Sequence, residues 1–578
     1  MAHGIIFLHS HLPVYHSARD ADKVISSSSS LPLPRLPQPP SYPPSTTSVT
    51  PTCRQCAVLQ MATPSLSHHA TITQPLARLS PEILGLILDQ TISFKLQAVD
   101  HRSLFTLRLV CRRFNCLATP VVYHTIELND AMLDLGAERL YTRFLEHVFQ
   151  HTNHVIVRSD LDPQSVKRLL CRIQRLSSIR WSYVPQHDRI PRLWLPSDML
   201  DCSQMRRNDT RICIENLPLG GVQHDFDESY FNAALTRHLV SLKLSNSNPP
   251  LTTRPDSLKR LIMQSPRLQT LHYQDLGIGT SFKFQGEERV PPITDLALRS
   301  YNWEHSPEEV AKHWDFSRIR SLKLVNMPVS NFFNSVYLPD FALLRTLKVE
   351  DYGGHLQDMR PSATRRLYDL IKHHINGLEA LDITCHTQIF GLDAIRKHRT
   401  SLRTLRFRDH VGFEEDSRRC PTLGLEDMAI LGAQLTFVHT LELDMDVVPC
   451  KLRDFLEAVC SFPSLDTLTL HVQTRLRAND RVDPRTDRDY DSALETFNSL
   501  VRLREQQRPE RPWRRITINV GGWRRVMVRR LGYGWKKQNA QGIFAERCFV
   551  LERNGHGRHG VREEAASETP RCRSPVQL

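Results

Sequence analysis

Residues 402–407 read LRTLRF: a leucine, two intervening residues, a second leucine, one residue, then an apolar third. This stretch decides the fold because its spacing returns down the chain. The L-x-x-L-x-L pattern stands at Leu239/Leu242/Leu244, Leu268/Leu271/Tyr273, Ile293/Leu296/Leu298, Ile319/Leu322/Leu324, Leu344/Leu347/Val349, Leu378/Leu381/Ile383, Leu402/Leu405/Phe407, Val438/Leu441/Leu443 and Leu465/Leu468/Leu470. Weaker copies are Leu176/Ile179/Trp181 and Trp513/Ile516/Ile518. From 242 to 468 the middle residues are separated by 29, 25, 26, 25, 34, 24, 36 and 27 positions. A period of that size marks a solenoid in which each repeat supplies one short strand and a return segment. Side chains alternate across a strand, so the last two apolar residues of each copy share one face and their neighbours take the other. Stacking then buries one apolar wall and leaves a polar, parallel-stranded face, expected to be concave.

The array resembles the leucine-rich repeats and spans roughly 126–520. In that family an asparagine stands three residues after the last strand leucine, whereas here those places hold Ser247, Tyr301, Met327, Tyr352, His386, His410, Asp446 and Gln473. The missing asparagines predict an uneven solenoid whose convex helices vary in length, as at 362–375 and 452–460. An Arg- and Asp-rich insertion at 475–490 reads as an exposed loop. Gly-Gly-Trp after Ile518, with Cys548, Phe549, Val550 and Leu551, reads as a last strand pair capping the array.

Upstream, residues 79–120 read LSPEILGLILDQTISFKLQAVDHRSLFTLRLVCRRFNCLATP. Ser80 suits an N-cap, Pro81 the first helical position and Glu82 the positive end of the helix dipole. Ile83, Leu84, Leu86, Ile87 and Leu88 leave almost no polar face on a short helix. A second helix is expected after Asp100, with Leu104, Leu107, Cys111 and Phe114 on one side beside Val110, and Arg108, Arg112 and Arg113 on the other; it ends by Pro120. Two such helices cannot cover all their own apolar surface, so the array or a partner must take the remainder.

This segment resembles an F-box, whose pattern L-x-P-E-I-L then L-x-L-V-C-[KR]-x-F is matched by Leu79, Pro81, Glu82, Ile83 and Leu84, and by Leu107, Leu109, Val110, Cys111, Arg112 and Phe114. The run 117–126 is similar to fungal members, in which a helix exits straight into a first repeat strand. The resemblance implies docking on the Skp adaptor, and through it on the cullin scaffold of an SCF ubiquitin ligase. It places the contact on Leu79, Pro81, Glu82, Ile83, Leu84, Ile87, Leu107, Val110, Cys111 and Phe114. The interval 89–100 is longer than the family's inter-helix loop, so a bulge or extra turn is expected there.

The fold class expected is therefore α/β: a short N-terminal helical F-box followed by an irregular leucine-rich-repeat solenoid, with parallel strands on the concave face and helices and loops outside. The expected division is a Ser/Pro-rich disordered tail at 1–62, the F-box at 76–123, the repeat array with its cap at 124–552 and a disordered tail at 553–578. With serines at 26–30 and prolines crowding 32–51, the first segment offers little to pack, and Met61 reads as an alternative start.

The expected role is non-catalytic: a substrate receptor holding a protein target beside the ubiquitin-charged enzyme. No Gly-rich phosphate loop, Ser/His/Asp order or paired carboxylate motif appears, and no cofactor is implied. The 13 cysteines are scattered, as in a reducing compartment, and the apolar run 4–8 is too short for a signal-peptide core, so cytoplasm or nucleus is expected, without a membrane span. Cys53 and Cys56 form C-x-x-C, but the adjacent His68 and His69 lack the separation of two ligands on one helix face, and no metal is expected. Pro39-Pro40-Ser41-Tyr42 matches the PPxY ligand of WW domains, a possible second protein partner.

Substrate contacts are expected on the outward residues of the strands: Lys243, His272, Arg299, Lys323, Lys348, Arg406 and Arg408 lean basic, and Glu442 and Asp444 mark an acidic step. Two other readings stand beside this one. The first is a repeat scaffold without degradation. The second is a nucleic-acid binder through 502–537, where arginines and lysines interleave with Trp513, Trp523, Tyr533 and Trp535, under a net charge of +13. Alternation equally puts those arginines on a solvated cap with the tryptophans inside, so nucleic acid is not the expected ligand.

Overall fold

The computed structural model describes residues 111–134, 142–184, 209–217, 233–244, 255–274, 281–351, 360–409, 423–445, 451–472, 487–520, 547–553, 559–564 and 576–577, with 80, 83, 106, 108 and 109. The chain divides into two units, Met1–Gln74 and Pro75–Leu578. The first, and with it the C-x-x-C and PPxY matches, lies outside the described residues.

The second unit is built on one 17-stranded sheet. Its strands are β1 Thr125–Glu127, β2 His154–Arg158, β3 Ser178–Ser182, β4 Arg211–Glu215, β5 Leu239–Lys243, β6 Thr270–Gln274, β7 Asp295–Arg299, β8 Ser321–Met327, β9 Thr346–Asp351, β10 Ala380–Cys385, β11 Thr404–Asp409, β12 Thr440–Met445, β13 Thr467–Val472, β14 Arg515–Val520, β15 Arg547–Arg553, β16 His559–Glu564 and β17 Val576–Gln577. From β1 to β14 each strand runs parallel to the next in sequence, and β15, β16 and β17 close the far end antiparallel. The result is an α/β, solenoid-like open sheet, and the middle residue of every copy of the repeat pattern lies on a strand.

The apolar spacing explains the stack. Leu242, Leu271, Leu296, Leu322, Leu347, Leu381, Leu405, Leu441, Leu468 and Ile516 are in register across ten strands and fully buried. Each such side chain contributes about 2–3 kcal/mol on leaving water. The covering helices place their own apolar stripe on this wall: Leu452–Cys460 buries Phe455, Leu456, Val459 and Cys460. Helix length varies as expected, from the four residues of Asp393–Arg396 to the 20 of Arg488–Gln507. The helix expected at 362–375 runs Arg360–Asp369 and ends in a π turn, Leu370–His374.

Backbone bonds tie the strand entries of successive repeats. Arg403 donates its N–H to the Glu379 carbonyl (2.8 Å), His439 to Arg403 (2.8 Å) and Asp466 to His439 (3.0 Å), and the same step recurs at Arg320, Arg345 and Glu379. Tyr301 and Met327 are buried instead of serving as turn amides. Asn216, Ser300 and Asn326 stand two residues after the buried Ile214, Leu298 and Leu324, all with left-handed φ (59°, 56° and 55°), and Asn326 Nδ2 donates to Ser300 Oγ at 2.8 Å. A partial polar ladder therefore exists one place earlier than expected.

Three expectations are corrected, and two strands lie outside the copies of the pattern. Strands β2 and β4 carry no leading leucine; near that place Thr152 and Thr210 are buried, and their hydroxyls donate to the Tyr123 and Leu176 carbonyls of the preceding repeat. The exposed loop expected to reach 490 ends sooner, because Asp487 accepts the N–H of Tyr490 and starts the helix Arg488–Gln507, whose Asp489 is buried. The polar tail expected from 553 contains β16, held on β15 by a buried charge cluster: Arg547 meets Asp487 (2.6 Å) and Glu563 (2.8 Å). Finally, the second N-terminal helix is not continuous. Thr106, Arg108 and Leu109 are helical, Cys111 is extended, and a new helix, Arg112–Val122, runs through Pro120; across the break Arg108 donates to Asn115 Oδ1 at 3.1 Å and to the Tyr123 hydroxyl at 3.2 Å.

Candidate functional site

Two surfaces were marked by sequence. In the first, Leu79, Pro81, Glu82, Leu84, Ile87, Leu107 and Val110 lie outside the described residues. Ser80 caps as expected, its Oγ accepting the N–H of Ile83 at 3.4 Å. Ile83 and Cys111 are exposed, Phe114 is half-buried, and Leu109 is 86 % exposed. The following helix turns its other side inward: Ala118, Thr119 and Val122 are buried, and Tyr123 packs edge-on against Phe144 at 5.6 Å. Apolar side chains of the motif thus stand uncovered beside a helix anchored to the array.

The second surface is the face of the sheet opposite the leucine wall, here the open face. Its residues line up in rows because the strands share one register. The central row reads Glu215, Lys243, His272, Ala297, Lys323, Lys348, Asp382, Arg406, Glu442, Thr469, Thr517. The row beyond it carries Gln274, Arg299, Val325, Glu350, Thr384 and Arg408, and further along Asp444 and His471. All nine residues marked by sequence therefore lie on this face, but their surroundings differ.

From β9 onward the charges satisfy one another. Lys348 Nζ lies 2.9 Å from Asp382 Oδ2, and Arg406 joins the same oxygen at 2.7 Å. Arg406 also donates to Glu442 Oε1 at 2.6 Å, where His471 Nε2 meets it at 2.7 Å. Arg408 pairs with Asp444 at 2.9 Å, and the other Asp444 oxygen accepts the Asp409 N–H at 3.0 Å. Glu442 and Asp444 are 9 % and 4 % exposed. Burial alone would push the Glu442 carboxyl up, but hydrogen bonds and charge from His471 and Arg406 outweigh it and hold it down at about 2. Burial in turn lowers His471, which is a neutral donor at pH 7, so Arg406 supplies the cation. The acidic step expected as a contact is an internal strut. Asp382, passed over by sequence, completes it.

From β3 to β8 the balance is different. Arg180 (3.9 Å) and Lys243 (3.4 Å) share the single carboxylate Glu215. His272 Nε2 takes Asp295 at 2.9 Å; burial raises that carboxyl, but His272 and Ser321 hydrogen bonds bring it below its ordinary value. Arg299 is exposed, Lys323 is half-buried, and neither has an ion pair among the described residues.

The basic stretch after 502 is partly internal. Arg504 is 1 % exposed, donates to the Leu465 carbonyl at 3.0 Å and stacks over Trp513 at 4.2 Å. Trp513 is buried, with Nε1 donating to the Leu500 carbonyl at 3.0 Å. Arg515 is taken by Glu564 at 3.0 Å, while Arg502 and Arg514 are exposed; residues 521–546 lie outside the described residues. Among the described residues no three His, Cys, Asp or Glu side chains gather as metal ligands, and no helix is long and apolar enough to cross a membrane. Neither the protein-family models nor the curated proteins give a match to this chain.

Proposed function

We propose that the chain is the substrate-receptor subunit of a cullin-based SCF ubiquitin ligase. Its F-box binds the Skp adaptor, and its sheet, an irregular leucine-rich-repeat array, binds a protein target. The observation that carries the reading is the joined pair L-S-P-E-I-L at 79–84 and L-R-L-V-C-R-R-F at 107–114, set immediately before a repeat array. Uncovered Leu109 and Ile83 support it, since an apolar side chain left in water beside an anchored helix favours a partner surface. The break at Cys111 divides the second motif between two helical pieces, so adaptor docking would join them into one surface. Catalysis by such a receptor is proximity: tethering raises the effective concentration of target lysines near the charged enzyme.

The test is co-purification of the adaptor and cullin with the full chain and with a Leu79→Ala/Pro81→Ala variant. The expected result is loss of both partners from the variant while its thermal unfolding is unchanged. Equal recovery from both chains would refute the F-box assignment. Recovery of an array ligand with no adaptor from either chain would favour a non-degradative scaffold.

A further inference from the structure

The open face does not present one uniform charge. On β3–β9 its cations are Arg180, Arg211, Lys243, Arg299, Lys323 and Lys348, six against the three carboxylates Glu215, Asp295 and Glu350. Asp295 is occupied by His272, and Glu215 is shared by two cations. Lys348 shares Asp382 with Arg406. Arg211, Arg299 and Lys323 are left without an ion pair among the described residues, Lys323 acting on Asp295 only through longer-range attraction, and of these Arg299 of β7 and Lys323 of β8 stand on neighbouring strands.

We propose that this pair captures an acidic segment of a protein partner, bound extended with carboxylates at alternate positions. The inference rests on the open face being the capture surface, and not on the adaptor contact. Three observations carry it. Arg299 and Lys323 are diagonal neighbours, because Ala297 pairs with Lys323 and Arg299 with Val325. Their Cα atoms are thus roughly 8 Å apart, from a strand spacing near 4.8 Å and a two-residue offset. Alternate side chains of an extended segment recur about every 6.6 Å, within the reach of a flexible lysine and an arginine fork. Ala297, between His272 and Lys323 in the central row, leaves a low floor on which a backbone can approach. Lastly, no Trp, Tyr or Phe stands on the open face of β5–β9 among the described residues, which removes the stacking platform that single-stranded nucleic acid uses.

The experiment uses the full chain and a fluorescein-labelled peptide of roughly ten residues alternating Glu and Ser, followed by anisotropy at near-physiological ionic strength. Controls are the Gln/Ser peptide and a single-stranded DNA of similar charge. The expected result is binding of the Glu/Ser peptide only, weakened by salt, and about tenfold or more weaker in Arg299→Gln/Lys323→Gln. The exchange Arg299→Lys/Lys323→Arg should retain binding, and Arg502→Gln/Arg514→Gln should leave it unchanged. Circular dichroism confirms that each variant is folded. Absence of peptide binding, equal binding by the Gln double variant, or tighter DNA binding that depends on Arg502 and Arg514 would each overturn the proposal. Adaptor recovery from the same preparations reads the ligase assignment separately, because peptide capture without adaptor refutes that assignment alone.

Discussion

Replacing Arg406 by Gln separates the two roles this residue has been given. As a target contact its loss would weaken capture and leave the fold intact. As the strut seen here, it joins Asp382 to Glu442 across neighbouring strands, and its loss leaves a buried carboxylate with only neutral His471 beside it. The cost follows from Glu442, whose ordinary carboxyl value of 4.5 is held down to about 2. That gap corresponds to about 3 kcal/mol favouring the folded state at neutral pH. Arg406 shares that gap with His471, whose hydrogen bond is the larger lowering contribution, so Arg406→Gln should cost about 1–2 kcal/mol, below the 3–5 of a wholly buried pair because its side chain is 29 % exposed.

The sign of the pH dependence is fixed by the same values. Glu442 is depressed in the folded state, so its stabilisation is complete above pH 4.5 and is lost as pH falls through about 2. The difference between wild type and variant should be full at pH 7 and should close across that window, where Glu442 takes up a proton in both. Guanidinium unfolding followed by circular dichroism at pH 7, 5, 4 and 3 measures it as a difference in midpoint, with equal slopes as the check that the unfolding reaction is the same. A variant within about 0.5 kcal/mol of wild type at pH 7 would refute the strut. So would a constant gap down to pH 3.

Arg547→Met should cost roughly 3–5 kcal/mol, because it strands Asp487 and Glu563 in a site where the arginine is 4 % exposed; hydrogen exchange along 547–564 should rise before that of β5–β9. Gly432→Ala should destabilise by about 1–3 kcal/mol despite the better helix propensity, since the new methyl would collide with Ser461 Oγ and disturb its bond to the Ala458 carbonyl; an unchanged melting temperature would show that Ser461 yields freely. Leu381→Ala, in the middle of the buried register, should cost about 2–5 kcal/mol, measured by the same denaturation. A chain starting at Met61 should keep adaptor recovery and melting temperature, because the Ser/Pro-rich segment buries too little to offset its ordering entropy.

The leucine spacing was legible because burial is periodic: each L-x-L pair fixes which face of its strand is dry, whatever lies between repeats. Strands β2 and β4 escaped that test because a threonine lies near the place of the leading leucine, and a buried hydroxyl satisfied by the preceding repeat looks polar in sequence. The fate of the charges was hidden for a different reason. Lys348, Asp382, Arg406 and Glu442 are 24 to 36 positions apart in the chain, and a lysine between two leucines reads the same whether it faces a partner or a neighbouring carboxylate. Read as one column, the central position of successive repeats becomes informative: Lys, Asp, Arg, Glu from β9 to β12 alternates in sign, whereas Lys, His, Ala, Lys from β5 to β8 does not. Alternation across parallel strands 4.8 Å apart is neutralisation. Its absence over β5–β8 leaves a net positive field, so under the proposed capture of an acidic segment the boundary between structural and capturing charge falls near β9, where Lys348 has an ion pair and Lys323 has none among the described residues.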